Sequence, residues 1–500
     1  MIFSSGLFVF FFALVFLVQW YLIGRIRNVE LRKRALHIFL LIVSYIFYMT
    51  WDWRFGFLIL FSTAVDFVAG IYIQRQHDSE SEAAQKKARL ALIISLGVNL
   101  GSLGIFKYFH FFADSFIALF GAIDPSFAAR DHNLLFRVIL PVGISFFTFQ
   151  SMSYTIDVYR RIIPAEKSLI RFALFVSFFP QLVAGPIVTA REFLPQLERF
   201  PSVDSNDLRE GCQIFLLGFI KKSVLADRVA PFVDMVHSDP LAYGFFNHWL
   251  AAIAFTMQLY LDFSGYSDMA IGSARLLGFY LPENFRMPYL SHSITEHWQR
   301  WHISLSRWFR DYVYIPLGGN RVGPIRHKWN LFSVMAISGL WHGAAWTYVL
   351  WGMMHGVAMV YEAIGKQFLP KRSPDHAAQT SIGHKVRRFG SWLYQILFVM
   401  IFNTILFRIE DISNTIPLLK RLLGLEGSLA MDIRPANYKL VFAVLAAMFI
   451  GHILGQKFFH DERLRSPLPP WAEKLALPLT LVLLTQIAVL DQTTFIYFAF

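Results

Sequence analysis

Apolar residues run in continuous blocks along this chain, without the strict alternation of a half-buried strand. The blocks fall at about 6–23, 36–52, 55–73, 90–106, 136–156, 168–188, 212–226, 245–263, 331–346, 348–364, 390–408, 438–456 and 476–491. Many reach the roughly 20 residues that a helix needs to cross the ~30 Å hydrocarbon core of a bilayer. Lipid offers no hydrogen bonds to backbone groups, so such segments must be helices or parts of a closed barrel. Unbroken apolar runs choose helices. Two shorter pieces, 109–122 and 266–280, are expected to be re-entrant or interfacial. The pattern predicts an all-α polytopic membrane protein.

Composition agrees. Of the 500 residues, 55% are hydrophobic, 17% aromatic and only 16% charged, against about 25% charged in a soluble domain. No repeat of fixed period and no long linker divides the chain, which predicts one domain over 1–500. The net charge of +12 does not point to nucleic acid, because Lys and Arg collect in the cytoplasmic loops of membrane proteins. Cys212 is the only cysteine, so no intramolecular disulfide and no cysteine-based metal cluster can form. Met1–Ser5 carries no basic group before the first apolar run, and no small-residue cleavage pattern follows it. Gly6–Ile23 is therefore expected to be a retained span.

Charge also orients the chain. Arg25, Arg27, Arg32, Lys33 and Arg34 follow the first span, and Arg75, Lys86, Lys87 and Arg89 follow the third. Further basic clusters lie between 364 and 390 and between 456 and 476. With these loops in the cytoplasm, both termini face outward and 409–437 is an external loop. In a bacterium this predicts a multi-pass protein of the cytoplasmic (inner) membrane.

Candidate chemistry concentrates between Phe285 and Trp351, where histidine, arginine, tryptophan and glycine crowd between apolar runs. Ile294 to Tyr312 reads as one amphipathic helix: Trp298, Trp301, Leu305, Trp308 and Tyr312 recur at spacings of three and four. Glu296 and Arg300 are placed to pair. Such a helix could lie at the interface with its tryptophans at headgroup depth, which leaves His302, beside the stripe, unexplained. His292, His297 and His302 are five apart, so successive members point roughly 140° apart on a helix. A helical zinc pair needs a spacing of about four, and no metal site is expected.

His342 interrupts the apolar run Leu331–Leu350. An ionisable group inside a span is costly and usually functional. Gly339 and Gly343 beside it would leave room for another group to approach, while His355 can be structural. Asp262 and Asp268 either cap helix starts or anchor basic residues of the 285–351 stretch. Pro141–Gln150 and Ala184-Gly185-Pro186 predict broken or tightly packed spans, tolerated where backbone is buried in protein or lines a cavity. A tunnel follows as an expectation; Trp301, Ser304, Asn320, Trp341 and Gly343 are expected to line it or support it, and Asp262 and Asp268 to be structural first. The aromatic end Phe495–Phe500 would serve as an interfacial belt.

These residues resemble the membrane-bound O-acyltransferase family, in its bacterial branch typified by alginate O-acetyltransferases. The resemblance spans nearly the whole length. It rests on Met1–Ser5, Pro141–Tyr159, Ala184-Gly185-Pro186, Gln258–Gly272 and above all Phe285–Trp351, with its Trp-His-Ile-Ser-Leu-Ser and Leu-Trp-His-Gly segments. The family implies a ring of about 11–13 spans around a thin central tunnel. It implies transfer of an acyl group from a cytoplasmic thioester such as acetyl-coenzyme A, with no permanently bound cofactor. By this resemblance His342 is the tunnel histidine, His302 the second recurrent one, and Tyr497 a tyrosine that receives the acyl group on the outer face. A separate extracytoplasmic transferase with a Ser-His-Asp site, of the SGNH type, or acyl-relay proteins would then be the partner that reaches the polysaccharide. Arg300, Arg307, Arg310 and Arg321 would greet coenzyme A phosphates, unless they only reflect cytoplasmic charge bias. Alternatives inside the family are peptidoglycan O-acetylation, acetylation of another exopolysaccharide and D-alanyl transfer to teichoic acid. A small-molecule transporter, which should show matched interrupted halves, and a scaffold for an external transferase are the readings from other classes.

Overall fold

The computed structural model describes residues 1–79, 81–128, 140–239, 242–368, 382–409, 411–429 and 435–458. Among these the regular elements are all helical. Among the described residues, five helical stretches are long and apolar enough to cross a membrane: Gly6–Arg25, Arg54–His77, Glu82–Ile123, Ile382–Phe407 and Tyr438–Gly455. Their outer faces carry bare apolar side chains such as Phe10 and Phe57, the surface that lipid covers at no cost. The chain is thus an all-α, multi-pass membrane protein. It divides into two compact units, Leu7–Val203 with Leu276–Leu281, and Asp204–Arg275 with Ile2–Gly6 and Pro282–Phe500.

The first unit contains α1 (Gly6–Leu17), α2 (Val29–Met49), α3 (Arg54–His77), α4 (Glu82–Leu103), α5 (Phe109–Ile123), α6 (Ile144–Tyr159) and α7 (Leu169–Ser177). Short polar residues start several of them. Asn28, Ser81 and Ser168 accept hydrogen bonds from the backbone of Leu31, Ala84 and Arg171, satisfying groups that a helix leaves open. α4 and α5 do not part as the separate pieces 90–106 and 109–122 expected from sequence. A wide π turn at Gly104–Tyr108 joins them into one 42-residue run. The expectation of tight packing around Pro141–Gln150 agrees with Gly143, which is left-handed at φ 74° and sits 2.9 Å, at its would-be Cβ, from the Leu182 carbonyl. The span 168–188 breaks after α7 into a four-residue helix, Phe179–Leu182. A polar knot stitches α3, α4 and α6. Asp66 accepts from Ser95 at 2.5 Å, from Asn99 at 2.9 Å and from Ser151, while Ser62 donates to Asn99 at 2.8 Å.

The second unit opens with α8 (Ser205–Phe219), which runs through a π turn at Ile220–Ala226 into α9 (Asp227–Ser238). α10 (Phe245–Leu276) is one unbroken helix of 32 residues, so the expected boundary between 245–263 and 266–280 does not exist. α8 and α10 touch backbone to backbone. A Cβ on Gly218 would lie 2.5 Å from the Gly265 carbonyl, and one on Gly265 2.7 Å from that of Gly218. This approach delivers two lysines to two carboxylates of α10, and a third carboxylate, Asp227 at the start of α9, joins them. Lys221 Nζ meets Asp268 at 2.6 Å; Lys222 Nζ meets Asp262 at 2.5 Å and Asp227 at 2.8 Å. Asp262 and Asp268 therefore do not cap helix starts, nor do these ion pairs join them to basic residues of the 285–351 stretch. They sit mid-helix and bind the π turn that precedes α9.

The remainder comprises α11 (Ile294–Arg300), α12 (Ile303–Phe309), α13 (Pro324–His342), α14 (Trp346–Phe368), α15 (Ile382–Phe402), α16 (Thr415–Leu422) and α17 (Pro435–Phe458). α13 and α14 form a hairpin closed by Gly343–Ala345. A Cβ on Gly339 would come within 2.3 Å of the Tyr348 carbonyl, and one on Gly352 within 2.3 Å of the Met335 carbonyl. The space beside His342 that the glycines suggested is thus taken by α14 itself. At Gly343 an added Cβ would lie 2.2 Å from the Tyr348 ring.

Two stability predictions follow from these contacts. Lys222→Met leaves two buried carboxylates uncompensated and should destabilise the protein by about 3–5 kcal/mol, read as a lower thermal midpoint in detergent; adding Asp227→Asn and Asp262→Asn should restore much of it. Gly339→Ala should cost about 1–3 kcal/mol by overpacking the hairpin, whereas Gly383→Ala, with nothing within 4 Å, should be neutral or stabilising by up to ~1 kcal/mol. Equal midpoints for the two glycine variants would contradict the close crossing of α13 and α14.

Candidate active site

The tryptophan-striped segment is two short helices, not one. α11 stops at Arg300, Trp301 is extended, and His302 adopts a left-handed backbone at φ 43° before α12 begins. Capping explains the start of α11. Ser293 Oγ accepts from the Glu296 backbone at 3.0 Å, and Glu362 of α14 accepts from the Ile294 and Thr295 backbones at 2.5 and 3.0 Å. The break is explained by the preceding loop folding back upon it: Arg286 N donates to the Arg300 carbonyl at 2.8 Å, and Ile303 N to the Asn284 carbonyl at 2.9 Å. Trp298, Trp301, Leu305, Trp308 and Tyr312 are all buried in the protein. The stripe forms core, which corrects the expectation of an interfacial helix.

The Asn284 amide is the hub of the break. Its Oδ1 receives His302 Nδ1 at 3.1 Å and Ser304 Oγ at 2.9 Å, and its Nδ2 donates to Ser267 Oγ at 3.1 Å. An amide oxygen only accepts, so Nδ1 of His302 carries the proton and Nε2 keeps the lone pair. Burial pushes the His302 imidazole down to about 3, so the ring is neutral at ordinary pH. Its faces meet Phe263 edge-on at 4.7 Å and Trp341 at 5.9 Å.

Trp341 links this residue to the second histidine. His342, the last residue of α13, packs against Trp341 at 5.0 Å, Trp351 at 5.0 Å and Phe407 at 5.5 Å. Trp351 is held in turn by Asn403, whose Oδ1 accepts from Nε1 at 2.9 Å. Both histidines are essentially buried, His302 at 0% and His342 at 2% exposure. The result is two imidazoles packed against one indole, in an aromatic enclosure where polar forces are little screened.

The other sequence candidates separate. Trp301 and Ser304 are buried beside the hub, and Asn320 and Arg321 are exposed. Arg300 pairs with Glu296 at 2.8 Å and Arg310 with Asp311 at 2.7 Å, while Arg307 is half-buried. His292 lies at the exposed rim near Arg388, and His297 bonds Gln395 at 3.0 Å. Among the described residues no group of His, Cys, Asp and Glu has the arrangement of a metal site. Tyr497 and Phe495–Phe500 lie outside the described residues. Sequence reasoning missed Asn284, Glu362 and Asn403. The Ser-x-x-Glu spacing of Ser293 and Glu296 was the one local signal that α11 starts where it does, although the Glu296 carboxylate accepts from the His292 backbone and not from that of Ser293.

The family profile of the membrane-bound O-acyltransferases matches residues 163–404. Similar proteins include "Probable alginate O-acetylase AlgI" of Pseudomonas aeruginosa, 38% identical over 94% of this chain and 84% of that protein. The protein of the same name from Pseudomonas putida is 44% identical over 74% of this chain and 73% of its own. A "Peptidoglycan O-acetyltransferase" of Helicobacter pylori is 32% identical over 85% and 80% respectively. The matched region contains both buried histidines and most of the residues that hold them, and the chain belongs to the membrane-bound O-acyltransferase family and is an O-acyltransferase.

Proposed function

We propose that this enzyme moves an acetyl group from a cytoplasmic thioester, acetyl-coenzyme A, to the outer face of the bacterial inner membrane for O-acetylation of an exopolysaccharide such as alginate. The observation that carries the reading is the pair of buried histidines packed against Trp341, at 5.9 and 5.0 Å, in a chain similar over most of its length to alginate O-acetylases. A hydroxyl oxygen attacks the thioester carbonyl carbon; the C–O bond forms and the C–S bond breaks. The hydroxyl proton passes to an imidazole and then to the departing thiolate, releasing the free thiol. His342 takes that proton, and His302 orients the acyl group or stabilises the oxyanion. Tyr497 is the attacking hydroxyl, placed outside with both termini. An extracytoplasmic transferase of the SGNH type then carries the group to sugar hydroxyls. Arg300, Arg307, Arg310 and Arg321 attract the donor's phosphates from the cytoplasmic side. The likeness to a peptidoglycan O-acetyltransferase keeps a peptidoglycan acceptor as the alternative.

One contact favours a second division of labour. Asn284 holds the His302 proton on Nδ1, which leaves Nε2 equipped to accept a proton, the role of a general base. Acetyl transfer in membranes separates these assignments. His342→Ala should lose about 10²–10⁴-fold in rate, with the thermal midpoint retained; full activity would sink the mechanism. Tyr497→Phe at full activity would sink the relay alone. If His302 is the base, kcat/KM should stay flat as pH falls through ~6.5, where an exposed histidine titrates, because burial keeps this ring neutral there. Asn284→Asp sets a carboxylate against Nδ1, raises the ring's pKa and should move the acid limb to higher pH. An acid limb unmoved by that change would return the base role to His342.

A further inference from the structure

Two polar atoms beside this cluster are buried without a hydrogen-bond partner among the described residues: Nε2 of His355 on α14 and Oε1 of Gln395 on α15. Their chemistry is set by their other contacts. Trp298 Nε1 donates to His355 Nδ1 at 3.2 Å, and an indole nitrogen only donates. The proton of the neutral His355 ring therefore sits on Nε2. The amide nitrogen of Gln395 is engaged with His297 Nδ1 at 3.0 Å, which leaves Oε1 an acceptor. Both groups are held from α11, by the consecutive residues His297 and Trp298. Phe398, one turn along α15 from Gln395, meets the His355 ring at 5.1 Å. His355 adjoins the candidate site: His342 and His355 stand 5.0 and 4.6 Å from the same Trp351 ring.

One buried donor and one buried acceptor specify a ligand that offers the complement of both. Buried polar groups of this kind are a liability unless something completes them, and an apolar pair would fill the space without it. We propose that His355 and Gln395 bind the acyl donor's secondary amide, the one nearest the thioester in a pantetheine arm. His355 Nε2–H donates to the amide carbonyl, and Gln395 Oε1 accepts from the amide N–H. In that arm only two methylene groups separate the sulfur from the amide nitrogen, and His342 and His355 both pack against the Trp351 indole. Gripping the amide fixes the thioester carbonyl at His342, which makes these donor-binding residues that position the reaction. The inference rests on the thioester-donor reading above.

The test uses the full chain in membranes, turning over acetyl-coenzyme A, with two truncated thioesters as competitors. S-acetyl-N-acetylcysteamine keeps the amide and ethyl thioacetate lacks it. The native protein should be inhibited about tenfold more strongly by the first. His355→Phe and Gln395→Met should each raise KM for acetyl-coenzyme A and erase that preference; His355→Gln, which restores a donor, should recover part of it. Thermal midpoints in detergent identify any variant that fails to fold, and the native preference is read without any variant. Equal competition by the two thioesters in the native protein would overturn the amide site while leaving the acyltransferase reading intact. So would variants that weaken both competitors alike, the result expected if the two groups merely share a buried water. No turnover of acetyl-coenzyme A by the native protein would remove the thioester reading and the amide site with it.

Discussion

The bond between Asn284 and His302 is the constraint on which the site depends. A histidine with a left-handed backbone costs on the order of 1–3 kcal/mol and persists only where its surroundings impose it. Here they do. The Asn284 carbonyl receives the Ile303 backbone, and its side chain receives His302 Nδ1 and Ser304 Oγ. One residue thereby holds the chain reversal open and selects the histidine tautomer. If the backbone were allowed to relax, α11 and α12 would merge into the single helix that their apolar stripe favours. His302 would then leave the position between Phe263 and Trp341.

The same economy governs the other buried polar groups. In a protein whose outer helices face lipid, water cannot serve as a spare partner. Asp66 is met by serines and an asparagine within its own unit. Lys222 is met by two carboxylates, with Gly218 and Gly265 allowing α8 and α10 to approach closely enough for the contact. A pair of ions away from solvent gives little net stability, but losing one member is expensive. Such groups enforce one arrangement of helices more than they strengthen it.

Much of this was legible in the sequence, for reasons of scale. Apolar runs of span length settle helix against strand, and the density of His, Trp and Gly between Phe285 and Trp351 marks the site. Helix continuity was less legible. Gly104–Tyr108 could have ended a helix but instead widens into a π turn, and the aspartates of α10 look like caps until Lys221 and Lys222 are seen to cancel them. The break at Trp301–His302 was hidden entirely. Local periodicity argues for an unbroken helix, and the partner that overrides it, Asn284, lies 18 residues upstream. The glycines beside His342 mark a close approach, but sequence cannot say which neighbour makes it; here it is α14.

That approach defines what the glycines do. His342 ends α13, and Gly339 lies three residues before it, against the backbone of α14 at Tyr348 and Gly352. The hairpin thus sets the height and rotation of His342 through backbone contact, with no flexible side chain between. Trp351, on the facing helix, is fixed by the same crossing and by Asn403. Misplacing a reacting group by about 1 Å can cost on the order of 10²-fold in rate, so rigid placement has a kinetic value. It also has a chemical one. A thioester exposed to water can be hydrolysed, and walls of Trp341, Trp351 and Phe407 around the imidazole exclude the competing nucleophile. Tight glycine packing and aromatic enclosure are thus one device: the first brings the walls together, and the second keeps the space between them dry enough for transfer to win over hydrolysis.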